Sequence, residues 1–386
     1  MLITQPYESL AWTLSWRTDL LKGMDGLEQR VALLRSPRES YAFQFVLNEQ
    51  ELRDIRRQLV VDATTPIQVP LRHEGLLLSA EPTADLVAGN IPFADWATVD
   101  REVLVESDLG YHYATTITDV HGAYLTVADV PVDPGHYPAY KTNVSPLVDV
   151  QAADGLSVAR HAVNAGKFTL TGYDTAFHTT WGAGIGGAFT TLDSYVIVDW
   201  VSAPLMGDLA RETFSAGLTV LDAGAAREVI QRRDAADIRR EHTFRWAAPA
   251  YRQLWKAFLY RQRGRCKPCL LSTFRDDLVL RSQPSIAATT LVVEDRDDYL
   301  AWFAASAAQA RLALATADGT QYVKVTNAVA SASDTITLTI SAGVANVPIT
   351  RVSFLELCRF DTDDVVVKID QGHQAEMDLA SVVVQR

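Results

Sequence analysis

Three cysteines, one glycine-rich run and one acidic–basic motif are the parts of this 386-residue sequence whose residue types and spacing could support chemistry. Cys266-Lys267-Pro268-Cys269 has the two-residue gap used by zinc and iron–sulfur sites, and Cys358 would join it if the strands carrying them are neighbours. A fourth ligand is missing. His242 lies in the same stretch, but no second CxxC and no Cys/His pair at metal spacing occurs. Free, partly buried thiols are the expectation, since cysteine packs as a small apolar group; zinc or an iron–sulfur cluster is the alternative. Gly182, Gly184 and Gly187 spell GxGxxG, the spacing that lets a pyrophosphate approach a helix N-terminus. FHTTW precedes it and a strand pattern follows, so the strand–turn–helix context of a dinucleotide site is absent and a loop is expected.

The remaining polar groups read as structural. Asp361, Asp363 and Asp364 lack the Gly and bidentate Glu of a calcium loop. In Cys358-Arg359-Phe360-Asp361-Thr362-Asp363, Arg359 is expected to pair with a carboxylate while Phe360 faces the core. The run from Glu294 to Asp298 reads as a solvated loop, with an intersubunit salt bridge as its alternative. Basic clusters at Arg232-Arg233, Arg239-Arg240 and Arg261 to Lys267 would suit acidic surfaces. The eight histidines are scattered, and no HExxH, GxSxG or EF-hand loop occurs. No catalytic residue and no cofactor are expected, and the chain is read as a non-enzyme.

Composition bounds the class. With 48% apolar and 21% charged residues the chain can bury a large core. A net charge of −12 repels phosphate backbones, which sets nucleic acid aside as a bound partner. No apolar run approaches the ~18 residues of a membrane helix. The start, MLITQPYESLAW, has no secretory-signal pattern, so synthesis and retention in a cytoplasm are expected. Three cysteines are too few for a disulfide framework.

Period-two alternation dominates, as in Tyr41, Phe43, Phe45 and Leu47, and predicts a mainly β protein. Helical spacing is confined to two places, Leu52, Ile55 and Leu59, and Tyr251, Leu254, Trp255, Phe258 and Leu259, whose apolar members are expected to pack on the core. Each follows an aromatic strand, which prompts a search for repeats. RESYAFQF, NEQELRDIRRQL and IQVPL match REHTFRW, APAYRQLWKAFLYRQRG and CKPCLLSTF in order and character. Similar correspondences continue to YKTNVSPLVDV and TRVSFLELCRF. The expectation is two β-sandwich or ring-forming units, each with one packing helix and an inserted small β-barrel or β-sandwich. The first repeat is 1–155, with its insertion at about 75–150; 156–230 is a hairpin and loop connection contributing to the second unit; the second repeat is 231–386, with its insertion at about 283–357.

The CRFDTDDVVVKI run, the aromatic helix before it, the Gly264-Arg265 turn and the Asp277-Leu278 strand resemble distal tail and tail-hub proteins of long-tailed phages. LEQRVALLRSPRESYAFQFVL resembles the same family, in which a Pro-Arg step introduces a strand of the ring-forming domain. The first repeat departs from the pattern, with VDVQAAD at 148–154 where the second has CRFDTDD. The resemblance implies a non-enzymatic virion component at the tail tip, assembled in the host cytoplasm. It would connect the tail tube and tape-measure protein to the hub and fibres, with DNA only as passing cargo. Two repeats per chain favour a homotrimer with pseudo-sixfold symmetry, with a hexamer as the alternative. A carbohydrate-binding adsorption protein is the alternative function.

Overall fold

The computed structural model describes the chain except for residues 1, 5, 23–27, 63, 81–84, 88–95, 108–111, 122–123, 129–140, 154–156, 163–164, 176–188, 200–210, 216–217, 223–226, 232–236, 247–248, 296–298, 306–309, 333, 371–373 and 385–386. It is mainly β, with a large antiparallel sheet and three helices.

Strand β1 (Tyr7–Ser15) and the hairpin β2 (Thr18–Lys22) and β3 (Glu28–Ala32) precede β4 (Arg38–Asn48). On β4 the alternating Tyr41, Phe43, Phe45 and Leu47 are all buried, and their rings stack along one face. Asn48 ends the strand and starts α1 (Glu49–Val61) through a capping box: its side chain accepts from the Glu51 amide while Glu51 accepts from the Asn48 amide. After β5 (Ile67–Pro70) come β6 (Leu76–Ala80), β7 (Asp85–Val87), β8 (Glu102–Ser107), β9 (His112–Val120) and β10 (Tyr124–Val127). The chain then returns along β11 (Lys141–Ala152), β12 (Ser157–Ala162) and β13 (Ala165–Asp174).

A short hairpin, β14 (Thr191–Leu192) and β15 (Tyr195–Val196), leads to β16 (Arg211–Ser215), the hairpin β17 (Leu218–Asp222) and β18 (Arg227–Gln231), and β19 (Asp237–Trp246). Helix α2 (Pro249–Gln262) and β20 (Cys269–Ser272) follow. Beyond them lie β21 (Thr290–Glu294), α3 (Tyr299–Ala305), β22 (Arg311–Thr316), β23 (Gly319–Ala332) and β24 (Thr335–Ile340). Strands β25 (Arg351–Phe360), β26 (Asp364–Asp370) and β27 (Ala375–Val383) complete the fold.

The antiparallel pairings can be read in two series. In one, β4 pairs with β1 and β13, β13 with β12 and β11, and β11 with β5 and β8. In the other, β19 pairs with β16 and β27, β27 with β26 and β25, and β25 with β20 and β22. The inserted strands run β8–β9–β10–β7 and β22–β23–β24–β21. Among the described residues one pairing joins the series: β1, already beside β4, also pairs with β26 over seven residues, from Ser9 opposite Asp370 to Ser15 opposite Asp364.

The main core runs through both series without a break, from Phe43, Phe45 and Phe168 to Trp12, Val367, Met377 and Phe244. Helix α2 closes it: Trp255 lies against Phe244 and Trp246, and Phe258 meets Phe360 edge-on. The strands β21 to β24 enclose a separate core of their own with Tyr299 of α3.

Three expectations change. Tyr251 is 45% exposed rather than packed: it shares the face of Trp255 and Phe258 but lies in the first turn of α2, ahead of the buried stretch that begins at Trp255. The alanine-rich YLAWFAA run forms α3, a third helix where sequence spacing showed two; it is too short for a periodic signal. In the stretch assigned from sequence to the connection, β13 pairs with β4 and β11, and β12 pairs with β13.

Because Phe258 is fully buried at the meeting of α2 with β25, Phe258→Ala is expected to lower unfolding free energy by ~3–5 kcal/mol. Urea denaturation measures it; a loss below ~1 kcal/mol would show that α2 does not close this core.

Candidate functional site

The CRFDTDD motif works as a clasp at the join between the two series of strands. Asp363 accepts hydrogen bonds from the Thr18 amide (2.8 Å), the Thr18 hydroxyl (2.9 Å) and the Arg265 amide (3.0 Å). Its carbonyl accepts from the Trp16 amide at 3.0 Å. One aspartate thus ties the N-terminal strand to the turn that ends α2. That turn needs glycine: Gly264 has φ +62°, and a Cβ there would lie 2.4 Å from the Asp363 carboxylate.

Around the clasp, Arg359 and Glu28 form a bidentate pair at 2.7 and 2.9 Å, both side chains nearly buried. Phe360 is buried beneath α2, and Asp361 pairs with Arg239 at 3.1 Å. The carboxylate partner of Arg359 comes from β3, 331 residues away in sequence.

A second polar group lies across the same join. Glu39, buried on β4, accepts from Trp12 Nε1 (2.9 Å), from the Tyr41 hydroxyl (2.9 Å) and from the Tyr260 hydroxyl of α2. Burial raises its pKa despite these donors and nearby Lys256. Lys256, itself buried, pairs with Glu74 at 3.1 Å. Residue types alone did not reveal this group, although the buried parity of Glu39 with Tyr41 and Phe43 was a signal.

A third group centres on Arg240 of β19, which pairs with Glu356 at 2.9 Å and Glu212 at 3.2 Å. Arg275 reaches Glu212 at 3.2 Å. Burial outweighs Arg240 and pushes the Glu356 carboxyl up to about 7. His242 is buried nearby, neither ring nitrogen having a hydrogen-bond partner among the described residues, and burial pushes it down to about 4.

The structure brings two of the three cysteines together: Cys269 and Cys358 face each other in the β20–β25 register, both buried. Burial pushes the Cys269 thiol up to about 12 and raises Cys358 as well. Among the described residues, no group of three or more His, Cys, Asp or Glu is placed to hold a metal ion. The GxGxxG run, Arg232-Arg233 and the end of the acidic run lie outside the described residues. Of the predicted helix residues, Leu52, Ile55, Trp255 and Phe258 are buried, Leu59 packs on the core from its edge and Leu254 is half-buried. No described helix is long and apolar enough to cross a membrane. Comparison with models of known families and with curated proteins found no match.

Asp363→Ala removes three hydrogen bonds to a charged acceptor and is expected to cost ~2–4 kcal/mol. Asp378→Ala, at an exposed pair with Lys368, should cost under ~1 kcal/mol. Equal losses in urea denaturation would contradict the clasp.

The Arg240 group sets a pH dependence with two opposed slopes. Glu356, raised from 4.5 to about 7, contributes stability that is present below 4.5 and lost as pH rises through about 7. His242, lowered from 6.5 to about 4, contributes stability present above 6.5 and lost as pH falls through about 4. Glu356→Gln removes the first slope, so the variant's stability should climb more steeply than the wild type's between pH 4.5 and 6.5. Identical slopes in urea midpoints would contradict the burial of Glu356.

Proposed function

We propose that the chain is a structural ring component of a long-tailed phage tail tip, built from two copies of one β unit and assembling as a trimer with pseudo-sixfold symmetry. The correspondence of the two pairing series carries the duplication. Every pairing among β1, β4, β5, β8, β11, β12 and β13 has its counterpart among β16, β19, β20, β22, β25, β26 and β27, in the same chain order; the β1–β26 join between the two sets stands apart. The hairpins β2–β3 and β17–β18 occupy equivalent places, and so do the parallel bridges Leu2–Gln68 and Ile197–Leu270.

Ring assembly is supported by the character of the join. Strand β1 of the first unit meets β26, whose counterpart in the first unit is β12, so the two units use different edges for one contact. Such a head-to-tail contact repeats around an axis instead of closing on itself as a pair. Three chains of two units would present six similar positions, matching a sixfold tube on one side and a threefold hub on the other. The net charge of −12 suits a passage through which DNA moves without adhering.

Native mass spectrometry tests the reading: three chains of 42.4 kDa each are expected in one closed particle. A monomer at every concentration up to tens of micromolar would overturn it, and binding of that monomer to host-surface glycans would favour an adsorption protein.

A further inference from the structure

We infer that β16 of one chain pairs antiparallel with β12 of the next, reproducing between chains the β1–β26 join within the chain; the inference rests on the ring reading above. Among the described residues, β16 pairs only with β19 and β12 only with β13. These are the counterparts of the two strands that the internal join brings together. An exposed strand edge is a template for another strand.

Side-chain exposure agrees on both edges. Leu14 stands opposite Glu39, the second residue of β4, and the β1–β26 join leaves it fully buried. Phe214 stands in the same way opposite Ile238, the second residue of β19, yet is 64% exposed. Val367 stands opposite Met377, which stands opposite Phe244; Val367 is 2% exposed. Its counterpart Val158 stands opposite Phe168, which stands opposite Phe45, and is 40% exposed.

The helices repeat the contrast. Helix α2 of the second unit reaches over the join, where Tyr260 donates to Glu39 and meets Trp16 edge-on. At the equivalent end of α1, Val60 and Val61 are 81% and 78% exposed. Seated on a neighbour's β16 and β19, they would cover Phe214 and Ile238 as Tyr260 covers the first unit. Four exposed apolar residues, Val60, Val61, Val158 and Phe214, thereby find one occupant, a second copy of this chain.

The internal register also fixes the outward-facing pairs. Thr13 opposite Val366 transposes to Thr213 opposite Ser157 of the next chain. The test uses the full chain carrying Thr213→Cys with Ser157→Cys, treated with a short bismaleimide, beside each single variant and the wild type, which controls for Cys266. The double variant should give a ladder of chain multiples that the others do not. Phe214→Asp should weaken assembly about tenfold or more while leaving the far-ultraviolet circular dichroism spectrum of the chain unchanged. An assembly of wild-type mass in Phe214→Asp together with no ladder would overturn the edge pairing and leave the ring standing. A wild-type protein that is monomeric throughout would overturn both.

Discussion

Everything in this structure depends on one strand being shared. Strand β1 hydrogen-bonds to β4 on one edge and β26 on the other, so the N-terminal segment is at once the border of one set of strands and the partner of the other. Backbone groups buried at such a join must be paired, and antiparallel addition of one strand pairs them without distorting either sheet. The hydrophobic face follows from that pairing. Leu10, Trp12 and Leu14 complete a continuous layer with Val365, Val367 and Ile369, and no boundary remains at which two independent cores would end.

Polar groups make the join specific. Hydrophobic alternation alone permits a strand to slip by two residues, keeping the same face inward. Asp363 stops that slip, because its bonds to Thr18 and Arg265 are met at one register only. The Arg359–Glu28 pair and the three donors on Glu39 act in the same sense from either side. Buried carboxylates are costly unless hydrogen-bonded, so a register that strands them is penalised more than the correct one is rewarded.

The strands, the first two helices and the order of segments were legible in the sequence because alternation and helical spacing are local. Phe43 and Phe45 announce a buried strand face wherever it packs, and the spacing of Leu52, Ile55 and Leu59 announces a helix. The inward-facing Phe360 and a carboxylate for Arg359 were legible too. The identity of that carboxylate was not, since Glu28 and Thr18 lie more than three hundred residues from their partners. The placement of β13 beside β4, with β12 on its far side, was missed for a similar reason: Gly and Thr in this stretch read as connection, whereas Phe168 and Leu170 are buried by strands far away in sequence. In the cysteine motif, free packed thiols were the expectation and a metal the alternative, and the β20–β25 register encloses Cys269 and Cys358 in the core.

The proposed ring makes the internal join the only interface the assembly needs to invent, with each chain boundary a copy of it. Electron cryomicroscopy of the isolated particle tests this most directly. The account predicts averaged images with threefold symmetry in which six similar sheets alternate around a central opening, the contact within a chain superimposing on the contact between chains. A particle whose two halves do not superimpose, or whose chains meet through surfaces other than β12 and β16, would contradict it.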